Sequence, residues 1–224
     1  MAALSAGISL LLVCLPLAGA EPAAPSEWPD WVDRQESLRQ RIAAVNEGDL
    51  TFLDDAVDRT VHYHDGRIAI SAQSLVDGWV SLEQCHYNLD RVAAAQILFR
   101  PERSRALEVL SYRNIDAAFA EANSIQLRGV GDASEICLRG ESRALRLLGP
   151  DVFELQNGPF MRRFLDGYYP LRLSLRVEYP SRLTLADFDP QSQAGFDVRQ
   201  TPGRVEVEAF FEGRLNTRFR FLAD

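Results

Sequence analysis

Apolar and polar residues alternate with a period of two along much of the chain after residue 60, and this pattern predicts half-buried β-strands. The clearest run extends from Leu171 to Tyr179, where every second residue is apolar and the residues between are arginine, serine or glutamate. Pro180 follows, and it ends the predicted strand because proline cannot donate a hydrogen bond to a sheet. Many short strands separated by turn signals predict an all-β protein of mostly antiparallel, sandwich-like β-units.

Turn sequences predict how neighbouring strands pair. The dipeptide Asp65-Gly66 is typical of a two-residue hairpin turn. A hairpin centred there places Tyr63 opposite Ile68 and Val61 opposite Ile70, with all four side chains on one face. The pattern therefore predicts a tight hairpin at the start of the β region.

A second turn signal, Pro202-Gly203, is typical of a type II turn. It places Val198 opposite Val207. A further three-residue loop at residues 212–214 then sets Val207 against Phe219, and apolar side chains share one face throughout. Residues 196–221 are therefore predicted to form a three-stranded meander.

The first part of the chain has a different character. An apolar run over residues 8–17 is followed by Ala18-Gly19-Ala20, a pattern of small residues typical of a secretory signal peptide cleaved after Ala20. No other segment approaches the length needed to cross a membrane, so we expect no transmembrane segment. An exported protein whose basic residues are all arginine is predicted to lie in a bacterial periplasm, with full secretion as the alternative.

The predicted signal peptide, residues 1–20, is followed by a helical lead over residues 21–50. Leu38, Ile42 and Val45 recur at helical spacing and predict one amphipathic N-terminal helix from about Pro29 to Asn46. A β-unit containing a disulfide is predicted over residues 51–149, and a second β-unit that ends in the meander over residues 150–224. The alternative is one β domain over residues 51–224.

Composition removes several chemistries. The chain carries 24 Lys and Arg residues, all of them arginine, against 32 Asp and Glu, and its formal net charge is −8. Mechanisms that depend on a catalytic or phosphate-binding lysine are therefore excluded. The acid excess also argues against a nucleic-acid partner, which a basic surface would attract.

Two cysteines remain after removal of the predicted signal peptide, Cys85 and Cys137. An even pair in an oxidising compartment is most simply one disulfide bond. The loop that this bond closes is long, and we expect a correspondingly large stabilisation.

The chain contains three histidines, His62, His64 and His86. His62 and His64 stand two apart on a predicted strand and point to one face, so the three imidazoles are candidate ligands for copper or zinc. The predicted hairpin, however, places Arg67 opposite His64, where its positive charge disfavours a cation, and nothing in the sequence places His86 nearby. Two histidines on a solvated sheet face are therefore the alternative interpretation.

The densest group of aromatic and arginine side chains lies between residues 159 and 170. These residue types are enriched at protein interfaces and stack on sugars, although they serve equally well as a packed corner. The possible contact surface consists of Phe160, Arg162, Arg163, Phe164, Tyr168 and Tyr169.

Together these observations predict an exported, non-catalytic binding or assembly-accessory protein that needs no cofactor. It would contact an envelope protein or a glycan. The first alternative is a periplasmic copper- or zinc-binding protein that uses His62 and His64. The second is a carboxylate-dependent hydrolase, because the chain is rich in Asp and Glu.

Overall fold

The structure is a computed structural model that describes residues 46–54 and 61–224. The predicted signal peptide lies outside the described residues, as does all but the last residue of the predicted amphipathic helix. Both therefore stay predictions. The described residues are mostly β-strand with very little helix, which confirms the β-rich fold class.

The described strands are numbered along the chain. They are β1 (Thr51–Phe52), β2 (Tyr63–Ala69), β3 (Trp79–Leu89), β4 (Val92–Leu98), β5 (Ser104–Glu121), β6 (Ser124–Arg143), β7 (Leu145–Gly149), β8 (Val152–Phe160), β9 (Arg162–Phe164), β10 (Gly167–Tyr169), β11 (Leu171–Glu178), β12 (Leu183–Asp189), β13 (Phe196–Thr201), β14 (Arg204–Glu212) and β15 (Leu215–Ala223). Helical structure among the described residues is limited to α1 (Ser74–Asp77) and a 3₁₀ turn at Pro101–Arg103.

These strands form three sheets. The largest has nine strands in the order β1-β14-β11-β2-β3-β6-β4, with β13 paired to β14 and β5 paired to β6. The second has four strands in the order β12-β15-β8-β7, and β9 pairs with β10 in a separate hairpin. Neighbouring strands run antiparallel, except that β2 and β11 run parallel.

The two larger sheets share one buried core. Leu173 and Val207 point into it from the nine-stranded sheet, and Leu155, Phe219 and Phe221 point into it from the four-stranded sheet. All five side chains are almost completely buried. Burial of this much apolar surface stabilises a sandwich of two facing sheets.

A second apolar cluster lies along β6, where Ile125, Leu127, Ile136 and Leu138 are buried. Ile97 of β4 pairs with Ile125, and the end of β5 pairs with the other edge of β6. The buried apolar side chains of β6 therefore lie in this smaller cluster and not in the sandwich core.

The predicted hairpin at Asp65-Gly66 is wrong, because β2 runs straight through both residues. β2 lies between β3 and β11, so its backbone is paired along both edges. Gly66 is needed because the side chains of His64 and Leu175 lie close to its backbone, and not because the chain turns there. A Cβ atom there would lie 3.1 Å from His64 Nε2 and 3.4 Å from a methyl carbon of Leu175.

The predicted meander is correct for its first turn only. β13 pairs with β14 in the predicted register, with Phe196 opposite Ala209 and Val198 opposite Val207. β15, however, leaves β14 and joins the four-stranded sheet between β8 and β12. The apolar sides of β14 and β15 both enter the core. The alternation identified the buried side of each strand correctly but not the neighbouring strand.

Strands from before and after residue 150 lie side by side in both larger sheets. β11 pairs with β2, and β7 pairs with β8. Cys85 and Cys137 lie directly opposite each other on β3 and β6 and form the predicted disulfide.

Candidate functional site

The pairing of β2 with β3 brings the three histidines together. His64 lies directly opposite His86, and His62 precedes β2 on the same side. Gln84 lies two residues before His86 on β3, so its side chain shares that face. The predicted hairpin assigned no position to His86 near the other two histidines, and the pairing of β2 with β3 provides one. Arg67 is on the opposite face and forms ion pairs with Glu178 and Glu83.

Gln84, His86 and His62 form a chain of hydrogen bonds. Gln84 Nε2 donates to His86 Nε2 over 2.9 Å. His86 then carries its proton on Nδ1, which donates to His62 Nε2 over 2.9 Å. The chain runs from a buried amide to a half-buried imidazole.

Burial keeps the histidines neutral. It lowers the pKa of His64 to about 3, and the neighbouring His62 contributes. Burial also lowers the pKa of His62 to about 4, where the positive charge of Arg162 adds to the effect and Asp90 opposes it. The pKa of His86 is well below its ordinary value for the same reason, with His64 and His62 contributing. Near neutral pH all three rings are uncharged.

His64 is enclosed by ring contacts. Its ring centroid lies 4.5 Å from that of His86 and 5.3 Å from that of Phe160, which meets it edge to face. Its Nε2 points toward Gly66. His64 therefore fills the space between the two sheets at the point where β8 ends.

The cluster as it stands is held together by hydrogen bonds. Within residues 46–54 and 61–224, no group of three or more His, Cys, Asp or Glu side chains is arranged to hold a metal ion. Both nitrogens of His86 already have partners, Gln84 and His62. Metal binding by the three histidines stays a prediction.

Two of the six predicted contact residues turn inward. Phe160 packs on His64. Arg162 forms a two-pronged ion pair with Asp90, in which its Nε donates over 2.8 Å to Oδ2 and its Nη2 bonds Oδ1. Arg162 Nη1 also donates to the carbonyl oxygen of Pro170 over 3.1 Å. These two residues therefore hold the base of the β9–β10 hairpin against the sandwich.

The other four predicted residues lie on the hairpin itself. Phe164 and Tyr169 meet edge to face at 5.5 Å, and the guanidinium of Arg163 lies 5.5 Å from the ring centroid of Tyr168. The turn between the strands exposes Leu165 completely, at 109% of its reference area. The hairpin thus has a packed base and an apolar tip.

Several residues of this region were not identified from the sequence. Gln84 is placed by its spacing of two from His86, a signal that becomes useful only once β2 and β3 are known to pair. Asp90 and Arg214 approach the hairpin from distant parts of the chain, and their sequence neighbourhoods give no indication of it. Leu165 lies between two predicted contact residues, Phe164 and Tyr168, and its complete exposure follows from the turn that the structure places there.

The most buried carboxylate among the described residues does not resemble a general acid. Glu154 is 4% exposed and lies between Arg146 and Arg220, whose nitrogens are 2.9 and 3.1 Å from its oxygens. Burial would raise the pKa of Glu154, but the hydrogen bonds and charges of the two arginines outweigh it, so its pKa is lowered. A hydrolytic acid requires the opposite shift.

Comparison with known proteins gives no family. No family model matches the chain, and no curated protein matches it. A crystal structure of a two-domain M1 zinc metallopeptidase mutant bound to L-tryptophan matches 80% of this chain with 9% sequence identity and a TM-score of 0.38. The chain spans less than half of that protein's length, 44%. Within the described ranges, no helix has the length and apolar composition needed to cross a membrane.

Proposed function

We propose that this protein is exported to the periplasm, where it acts as a non-catalytic binding or assembly-accessory protein. It contacts an envelope protein or a glycan through the β9–β10 hairpin. The observation that carries the proposal is the combination of a fully exposed Leu165 at the tip with an anchored base. Aromatic and arginine side chains such as those beside Leu165 are enriched at protein interfaces, and a rigid support lowers the entropic cost of binding.

The anchoring of the hairpin supports this function. Arg162 is only 17% exposed and uses three nitrogens on Asp90 and the Pro170 carbonyl. A surface that is already ordered loses little conformational entropy when a partner binds. The aromatic side chains of Phe164 and Tyr169 add contact area with few rotatable bonds.

The disulfide supports the proposed location. Cys85 and Cys137 are bonded across neighbouring strands. Structural disulfides persist in oxidising compartments such as the bacterial periplasm and are rare in the cytosol.

Site-specific photo-crosslinking in living cells tests the hairpin. A photoreactive phenylalanine analogue replaces Leu165 in one strain. In the control strain it replaces Val76, an apolar residue of α1 that is 81% exposed. We expect a discrete higher-mass adduct from the Leu165 position and none from Val76. Absence of an adduct at Leu165, or equal adducts at both positions, would contradict the proposal.

A second candidate function is copper or zinc binding by the histidine cluster, favoured because the fold brings every histidine of the chain onto one face. His62 Nε2 and His86 Nδ1 are 2.9 Å apart, and a proton lies between them. Two imidazole nitrogens on one tetrahedral zinc ion lie about 3.3 Å apart. A metal ion would therefore replace the proton after a separation of a few tenths of an ångström.

Native mass spectrometry with added zinc or copper tests this second candidate. We expect one bound ion in the wild-type protein and none in His86→Ala. Gln84→Ala is the matched control, because it removes a neighbour of His86 and no candidate ligand. An absence of any adduct in the wild type, or an adduct that persists in His86→Ala, would overturn metal binding at this cluster.

A further inference from the structure

Two exposed guanidinium groups flank one tyrosine ring on the proposed contact hairpin. Arg163 lies 5.5 Å from the ring centroid of Tyr168, and Arg214 lies 5.8 Å from it. Arg163 pairs with Tyr168 across the hairpin, whereas Arg214 comes from the segment between β14 and β15. Two parts of the chain distant in sequence thus place positive charge around a single aromatic side chain.

The Tyr168–Arg214 contact is held in place by a tightly packed loop at residues 46–48. The backbone nitrogen of Tyr168 donates to the Asn46 carbonyl over 3.0 Å, and Arg214 Nε donates to the Gly48 carbonyl over 3.3 Å. Gly48 has φ +119°, and a Cβ atom there would lie 2.9 Å from Arg214 Nε and 3.0 Å from Tyr168 Cε2. The glycine allows the loop to lie directly against both side chains, so this part of the surface is ordered before any partner binds.

These two arginines differ from many others on the surface. Arg67, Arg139 and Arg176 each have a carboxylate partner within 4 Å. In the described part of the chain, no carboxylate is ion-paired with Arg163 or Arg214, although the whole protein carries a net charge of −8. The nearby carboxylate of Asp166 accepts a hydrogen bond from the Tyr169 hydroxyl over 2.8 Å. The cluster therefore presents two guanidinium groups that are not ion-paired with any carboxylate of the described residues.

We infer that Arg163, Tyr168 and Arg214 bind an acidic peptide segment of a protein partner, an inference that rests on the proposed function of the hairpin. A guanidinium binds a carboxylate through two parallel hydrogen bonds, and the nitrogens not used on Gly48 are available for this. Leu165, two residues from Arg163, adds an apolar contact beside the charges. A ligand that matches this site presents carboxylates next to an apolar group. Peptides have this combination and carboxylated sugars do not.

Fluorescence anisotropy at low ionic strength tests the inference. The probe is a short fluorescein-labelled polyglutamate peptide that ends in leucine, and the comparison ligand is a labelled polygalacturonate oligosaccharide. The variants are Arg163→Gln, Arg214→Gln and both together. Arg128→Gln is the matched control, because Arg128 is also exposed, also lies over an aromatic ring, Phe119, and loses the same charge.

We expect the wild-type protein to bind the peptide and each hairpin variant to bind about tenfold more weakly, with the control within about twofold of the wild type. Arg163→Lys, which keeps the charge and loses the two-pronged geometry, should recover only part of the affinity. Equal losses in Arg128→Gln, no binding by the wild type, or tighter binding of the oligosaccharide would each overturn the inference.

Crosslinking at the Leu165 position separates the two proposals. An adduct that persists in the double variant retains the hairpin as a contact site and removes the acidic partner, whereas no adduct in any strain removes the hairpin itself.

Discussion

The two ends of the sandwich core are formed by the same strands but contain different kinds of side chains. On the inner face of β3, Val80 lies at one end, and Gln84 and His86 lie at the other. On β2, Ile68 gives way to His64 in the same direction. One end of these two strands is therefore apolar, whereas the histidine end contains the buried polar side chains of His64, Gln84 and His86.

This difference indicates what each end contributes. Apolar side chains stabilise the fold through burial alone, without need of particular partners. A buried polar group lowers stability unless it is hydrogen-bonded, so the histidine end depends on the complete chain from Gln84 to His62. The histidine end also supports the base of the β9–β10 hairpin through Phe160 and Arg162. The end that depends on specific hydrogen bonds is thus the one that carries the proposed contact surface.

The largest effect is expected at the apolar end. Phe221 is completely buried and its ring lies 4.9 Å from that of Tyr179. Phe221→Ala should lower the free energy of unfolding by about 3–5 kcal/mol, because the cavity cannot collapse between two sheets. Urea unfolding followed by tryptophan fluorescence measures the change. Leu222→Ala, its neighbour on the outer face, should cost less than about 1 kcal/mol, and a similar loss in both variants would show that the core does not depend on this side chain.

The second effect concerns the disulfide, which lies on the outer face behind the histidine end. Cys85 and Cys137 are separated by 52 residues, so the closed loop removes much of the entropy of the unfolded chain. The double variant Cys85→Ala/Cys137→Ala should be less stable by about 2–4 kcal/mol in urea unfolding. Dithiothreitol should destabilise the wild type by a similar amount and leave the double variant unchanged. An unchanged wild type in reductant would contradict the expectation.

The strand patterns were the part of this fold that sequence could predict. The alternation over Leu171–Tyr179 and the turn at Pro202-Gly203 both gave correct local results, because each depends on neighbours in sequence. The Asp65-Gly66 prediction failed because β3 and β11 pair with both edges of β2. Long-range pairing overrides a local turn preference.

The arrangement of the candidate site also results from long-range strand pairing, which the sequence pattern does not reveal. His64 and His86 could be recognised as chemical candidates, but their contact follows from the β2–β3 register alone. The inward turn of Arg162 follows from Asp90, 72 residues earlier in the chain, and periodicity carries no information about such a partner. The interface composition of residues 159–170 was visible in sequence, and its division into anchor and exposed tip was not.

The third effect is acid sensitivity of the histidine end. The pKa of His64 is about 3 in the fold and about 6.5 in an unfolded chain, so the unfolded state binds more protons between these values. Above about pH 6.5 the ring is neutral in both states, and the protein keeps its full stability. As the pH falls below this value, the unfolded state takes up a proton that the folded state does not, so the free energy of unfolding decreases until the folded-state pKa is reached. At about pH 5 the loss from His64 is about 2 kcal/mol. His62, whose pKa is about 4, shifts in the same direction.

Urea unfolding measured across this pH range tests the acid effect, with His64→Leu as the sharpest comparison. Leucine cannot take up a proton, so the variant should lose less stability between neutral pH and pH 5 than the wild type does. His64 has ring contacts with Phe160 and His86, and an apolar replacement retains part of that packing. Parallel pH profiles for the two proteins would show that His64 is not responsible.

The smallest loss of stability is expected when an exposed ion pair on the outer face is removed. Arg176 Nε lies 3.3 Å from Glu206 Oε1, and the two side chains are 48% and 39% exposed. Arg176→Ala should change the free energy of unfolding by about 0.2–1 kcal/mol, and added salt should reduce the difference because water and ions screen exposed charges.

Arg162→Ala is the matched comparison, since its pair with Asp90 is more buried and its three nitrogens all have partners. We expect a larger loss there that salt changes little, because the substitution leaves Asp90 without its cation. Equal and equally salt-sensitive losses would mean that the base of the hairpin is held no more firmly than an ordinary surface pair, and the argument for a preorganised contact surface would then fail.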